Sequence, residues 1–133
     1  MDVERINPSE LARPSGFSHA VAATGGRIVF LAGQTGMDRD GTVVSGGVVA
    51  QFEQALANLL TALAAAGGQP EDLVSVTLYI VDVGDYQAHG KEIGAAWRKL
   101  AGTEYPAMAG VGVTRLWIPD ALVEIQGIAA VSR

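Results

Sequence analysis

Residues 48–82, VVAQFEQALANLLTALAAAGGQPEDLVSVTLYIVD, carry two hydrophobic periods back to back. From Val48 to Ala66, Phe52, Leu56, Leu59, Leu60 and Leu63 recur at spacings of three and four, the signature of one helical face. Gln51, Glu53, Gln54, Asn58 and Thr61 lie largely outside that stripe. Gly67-Gly68 stops the helix, as glycine does at helix C-termini. Pro70 to Leu73 reads as one helical turn. From Val74 to Asp82 the period drops to two. Val74, Val76, Leu78 and Ile80 alternate with Ser75, Thr77 and Tyr79, so one strand face meets a core.

Working outward, Arg27 to Gln34 (RIVFLAGQ) is apolar on both faces, as in a buried strand. Ser18 to Ala23 is a shorter strand, and Thr24-Gly25-Gly26 between the two is a hairpin signal. Met37 to Gly47 is a loop. A second helix is expected from about Asp85 to Leu100, burying Tyr86, His89 or Gly90, Ile93, Trp97 and Leu100. Ala107–Thr114 and Ala121–Val131 are further strands, with Trp117 to Asp120 turning the chain between them. The expected order is three strands, of which the two above are placed, then helix, strand, helix, strand, strand. Two helices cover only one face of a six-stranded sheet, so the other face calls for an oligomeric partner.

The chain has 133 residues, which suits one domain spanning 1–133. Its 9 basic and 14 acidic residues leave a net charge of −5, a poor match to a phosphate backbone. There are no cysteines, which excludes disulfides, thiolate nucleophiles and cysteine-held metal centres. Two histidines, His19 and His89, are too few for a histidine-rich metal site. The first ten residues are charged and polar, unlike a signal peptide, and no run of about 18 apolar residues occurs. Cytoplasmic residence without a membrane is the expectation by elimination.

No phosphate-binding glycine loop and no nucleophile elbow occurs. His19 is a candidate general base, although a lone histidine at a strand start is more often solvated or core-paired. Glu124 is more informative. It sits in VEIQGIA among Val123, Ile125 and Ile128, and a carboxylate in such a strand is either outward-facing, paired or functional.

Gly33-Gln34 after an apolar strand, Gln51, Ala55, Leu56, Asn58 and Leu59 on one helix, and Ala66-Gly67 together resemble the Rid (YjgF/YER057c/UK114) family. The likeness continues through Asp72-Leu73-Val74, Val81-Asp82 with Asp85-Tyr86, Tyr105-Pro106-Ala107 and Val123-Glu124-Ile125. It covers nearly the whole chain in order. The resemblance implies an α+β, chorismate-mutase-like fold, trimerising so that three sheets line a central barrel with helices outside. It implies a small-molecule pocket at each subunit interface, and cofactor-free hydrolysis of enamines and imines to carbonyl compounds and ammonia. A non-catalytic trimeric metabolite-binding protein is the alternative. A ribonuclease activity has also been attached to the family, and the acidic charge argues against it here.

Residue by residue, Glu124 matches the family glutamate that positions the attacking water. Gly33 matches a pocket glycine, and Arg115 a secondary arginine. Phe17 stands where tyrosine is usual and Gly90 where a helix asparagine is usual. Met108 stands where an arginine pairs with the substrate carboxylate. Methionine has no donor, so that bidentate contact is lost. The implied pocket contains Phe17 and Met108, with Trp117 near its mouth, and suits a neutral or partly aromatic ligand. Glu124 is its polar handle and acid–base group, since apolar neighbours favour the neutral carboxyl.

Overall fold

The structure is a computed structural model and describes residues 2–132. The elements are β1 (Asp2–Ile6), β2 (Ala20–Thr24), β3 (Arg27–Thr35), α1 (Gly47–Ala65), a 3-10 turn (Pro70–Asp72), β4 (Leu73–Ile80), α2 (Val83–Ala88), α3 (Gly90–Ala101), β5 (Ala107–Gly112) and β6 (Val123–Val131). The helix and the strand of the 48–82 stretch fall where their periods place them.

The six strands form two sheets rather than one. A four-stranded sheet has the order β3-β6-β4-β5, and β1 and β2 form a separate antiparallel ribbon. The Gly25-Gly26 turn therefore does not join a hairpin: β2 pairs with β1, and β3 pairs with β6. Glycines allow a chain reversal, but strand pairing is set by which edges are free. A single bridge between Ser18 and Ala107 ties the ribbon to the β5 edge. β4 and β5 are parallel neighbours, a pairing that needs a long crossover.

That crossover holds two helices, not one. Asp82 caps α2 by accepting from the Asp85 N–H at 3.0 Å, so the first helix starts early. His89 then breaks it with φ −108° and ψ 19° before α3 begins at Gly90. The His89 ring sits at this joint, with Nδ1 2.9 Å from the Asp85 carbonyl and 3.3 Å from its carboxylate. That carbonyl contact raises the His89 pKa against an opposing desolvation, with lesser support from the Asp85 and Glu92 charges.

The core lies between the four-stranded sheet and α1 with α3. Phe52, Leu56, Leu59 and Leu63 are all at most 1% exposed and pack on Val76, Val123, Ile125 and Ala129. Each such burial stabilises by about 1.5–3 kcal/mol. By length and composition α1 could also cross a membrane, but its stripe is used here against the sheet. The helix ends as glycine dictates: Gly67 has φ +88°, and the Arg27 guanidinium donates to the Ala66 carbonyl at 2.6 Å.

Two polar residues on α1 have structural duties. Asn58 donates to the Thr35 and Met37 carbonyls at 3.1 and 2.9 Å, pinning the end of β3. Gln51 is buried, against expectation, at 5% exposure. Its amide donates to the Asp120 carbonyl at 3.3 Å and accepts from the Leu122 N–H at 2.8 Å, setting the approach to β6. Gln51→Ala strands those groups, and urea unfolding should show a loss of about 1–3 kcal/mol.

Candidate functional site

Alternation divides the four-stranded sheet into two faces. Val76, Leu78, Ile80, Val123 and Ile125 point into the helix-covered core. Thr77, Tyr79, Glu124, Gln126 and Ile128 occupy alternate positions and point the other way. Ile28 and Phe30 are 67% and 76% exposed on that second face. Among the described residues nothing covers it.

Glu124 lies on this open face, paired in register with Thr35 and Tyr79. Beside it, β3 has a bulge. Leu31 faces Gly127 and Gln34 faces Ile125, so two β3 residues, Ala32 and Gly33, oppose Gln126 alone. A bulge kinks its strand and re-aims what it carries. The Glu124 side chain fills the space over Gly33: a Cβ there would lie 2.9 Å from the Glu124 Cδ and overlap Oε2. Gly33 is required for room, not for backbone freedom. Tyr79 donates to Gln126 Oε1 at 3.2 Å, giving the face a second polar group near Glu124.

Phe17 and Met108 lie elsewhere. They line a cavity of about 510 Å³ with Phe52, Tyr86, Trp97 and Tyr105. The register makes the separation plain. Met108 pairs with Val76, a core-facing position, whereas Glu124 pairs with Tyr79, an outward-facing one. Glu124 and the Met108 cavity therefore sit on opposite faces within one chain. Phe17 and Met108, the apolar neighbours expected beside Glu124, lie on the other face of the sheet.

The segment carrying Phe17 is firmly seated. Ser18 donates through Oγ to the Tyr105 carbonyl at 2.8 Å and through its N–H to the Pro106 carbonyl at 2.9 Å. His19 Nε2 is 2.7 Å from the Ala12 carbonyl, and its ring meets Phe17 edge-on at 5.2 Å. His19 thus holds the loop that positions Phe17. In the cavity wall Trp97 stacks on Tyr105 at 6.4 Å, and burial pushes the Tyr86 phenol up to about 12, so it remains a neutral hydroxyl. Arg115 and Trp117 line a separate shallow hollow with Leu116, and Trp117 is 90% exposed. In one chain they do not meet the Met108 cavity.

The charged residue of the lining was missed by sequence reasoning. Arg98 borders the cavity, on the helix face of Gly90 and Gly94. The four-residue spacing 90, 94, 98 was the available signal.

Fold and site define a small α+β domain with a carboxylate held over a glycine bulge on one sheet face and an aromatic cavity on the other. The chain belongs to the endoribonuclease L-PSP family, the Rid group, whose family model matches residues 8–131. It is 34% identical over 128 residues to a RutC family protein of Pyrococcus horikoshii, covering 95% of this chain and 96% of that one. It is 32% identical over 134 residues to a 2-iminobutanoate/2-iminopropanoate deaminase of Dermatophagoides farinae, covering 98% and 99%. A crystal structure of a Rid family protein of unknown function from Yersinia pestis superimposes with a TM-score of 0.85 at 36% identity, covering 98% and 100%. The fold is thus of the YjgF type, in a family some of whose members are named imine deaminases.

Proposed function

We propose that this chain is a cofactor-free hydrolase of small enamines or imines, with an altered substrate range, and that its site is completed between copies in a homotrimer. The observation that carries this reading is the Glu124 carboxylate seated over Gly33 on an uncovered sheet face. Its counterpart, the cavity of Phe17 and Met108, lies on the opposite face. A second copy that lays its open face against this cavity brings the two halves together. Exposed Ile28 and Phe30 supply apolar area for that contact. Arg115 and Trp117, remote from the cavity in one chain, would reach the site only through such a contact.

The chemistry needs one acid–base group. An enamine protonates at carbon to give the imine. Glu124 takes a proton from water as its oxygen adds to the C=N carbon. Glu124 returns that proton to nitrogen, the hydroxyl proton follows to nitrogen as the C–N bond breaks, and ammonia leaves a carbonyl compound. Water is the sole co-reactant.

The test supplies 2-aminoacrylate and longer-chain imino acids, generated enzymatically, and follows oxo-acid release. Wild type should accelerate release for apolar members, and Glu124→Gln should lower that rate by about 10²–10⁴-fold. No acceleration across the series overturns hydrolysis. The lack of any donor on Met108 favours a second reading, a trimeric metabolite-binding protein, which predicts saturable ligand binding without turnover. A molecular mass in solution other than that of a trimer overturns the assembly.

A further inference from the structure

The loss of the arginine at position 108 does not leave the cavity without a cation. Arg98 borders the same cavity from α3, one helical turn beyond Gly94 and two beyond Gly90. Its Nη1 lies 3.3 Å from where a Cβ on Gly94 would sit, so the side chain runs back across that glycine. A bulkier residue at 94 would push it away. The Arg98 side chain makes no ion pair or hydrogen bond with another described residue, whereas the adjacent Lys99 is paired with Glu53 at 2.9 Å. No acidic side chain lines the cavity.

A second observation concerns Trp97. It is 5% exposed and lines the same cavity, and its indole Nε1–H has no partner among the described residues. Buried donors are nearly always bonded; this one is shut off from solvent in the cavity wall, where it reports a change in the wall when the cavity fills. The remaining wall is aromatic and aliphatic: Phe17, Phe52, Tyr86, Tyr105 and Met108.

We propose that Arg98 is the anion anchor of this cavity, and that the ligand is a carboxylate with an apolar, preferably aromatic, body. This replaces the neutral ligand expected from Met108 alone. It rests on the reading of the cavity as half of the ligand site, but not on hydrolysis. The carboxylate meets the guanidinium at the rim. The body fills the interior against Met108 and the rings, where an arginine at 108 would otherwise stand. The family's anchor and this one are thus alternatives, one from the strand floor and one from the helix wall.

The experiment compares 3-phenylpropanoate with 3-phenylpropanamide, its neutral isostere, by titration calorimetry on the intact protein at low salt. Wild type should bind the acid at least about tenfold more tightly, as expected for a charge-assisted contact. Arg98→Met should erase the preference, and Arg98→Lys should keep part of it. The preference should shrink at high salt, because Arg98 is exposed. The Trp97 indole N–H resonance should shift on binding in wild type. Equal affinity for acid and amide, a preference that survives Arg98→Met, or no binding of either probe overturns the proposal. Preferential acid binding without turnover of any imine overturns hydrolysis and leaves Arg98 in its role. Turnover without an acid preference does the reverse.

Discussion

Replacing Phe52 by Ala should lower the unfolding free energy by about 3–5 kcal/mol, the range for deleting a buried ring. Phe52 is 1% exposed, lies on the α1 stripe and meets Tyr86 edge-on at 6.1 Å. It also walls the Met108 cavity, so truncation joins a new void to an existing one. A void that opens onto a cavity is poorly refilled by relaxation, which places the cost toward the top of the range. Urea unfolding at fixed protein concentration measures it, since any oligomer makes stability concentration-dependent. A loss below about 1 kcal/mol would mean that the ring is not part of the packed core.

The second large effect is on function. Gly33→Ala should leave stability within about 1 kcal/mol, yet lower turnover about a hundredfold. The backbone at Gly33 is not in the left-handed region, so alanine brings no strain there. Removing glycine from a strand even favours folding by about 0.5–1 kcal/mol. The new Cβ, however, occupies the place of the Glu124 carboxylate. That flexible end can swing aside for about 0.5–1.5 kcal/mol. Folding then changes little, while displacement of a reacting group by about 1 Å costs on the order of 10² in rate. A double-mutant cycle with Glu124→Gln isolates the cause. If Gly33 acts through the carboxylate, Gly33→Ala should cost almost nothing more once Glu124 is Gln. A full hundredfold loss in that background would assign Gly33 a different role.

Both predictions show how far the residue order could be read. The Phe52, Leu56, Leu59 and Leu63 stripe was legible because a helix repeats its face every three or four residues. The β4 alternation was legible for the same kind of reason, with period two. The break at His89 was less so. Helix propensity runs through it, and only the Asp82 cap and Gly90 hinted at two shorter helices. The ribbon partner of β2 was invisible, since DVERI is polar and short. Gln51 read as a surface residue because its amide finds its two backbone partners some 70 positions away, at Asp120 and Leu122.

The sequence by itself determined the chemical inventory: Glu124 in an apolar strand, Gly33 free of a side chain, and a donor lost at Met108. It determined the family as well, through an ordered series of short motifs along one domain. Only the tertiary structure decided which of these residues share a face. Alternation fixes faces within a strand, but the register between strands comes from packing, and a one-residue shift exchanges the two sides of a sheet. The observed register sets Met108 opposite Val76 and Glu124 opposite Tyr79. That places Glu124 and the Met108 cavity on two surfaces of one chain, and packing of α3 against α1 sets Arg98 at the edge of that cavity.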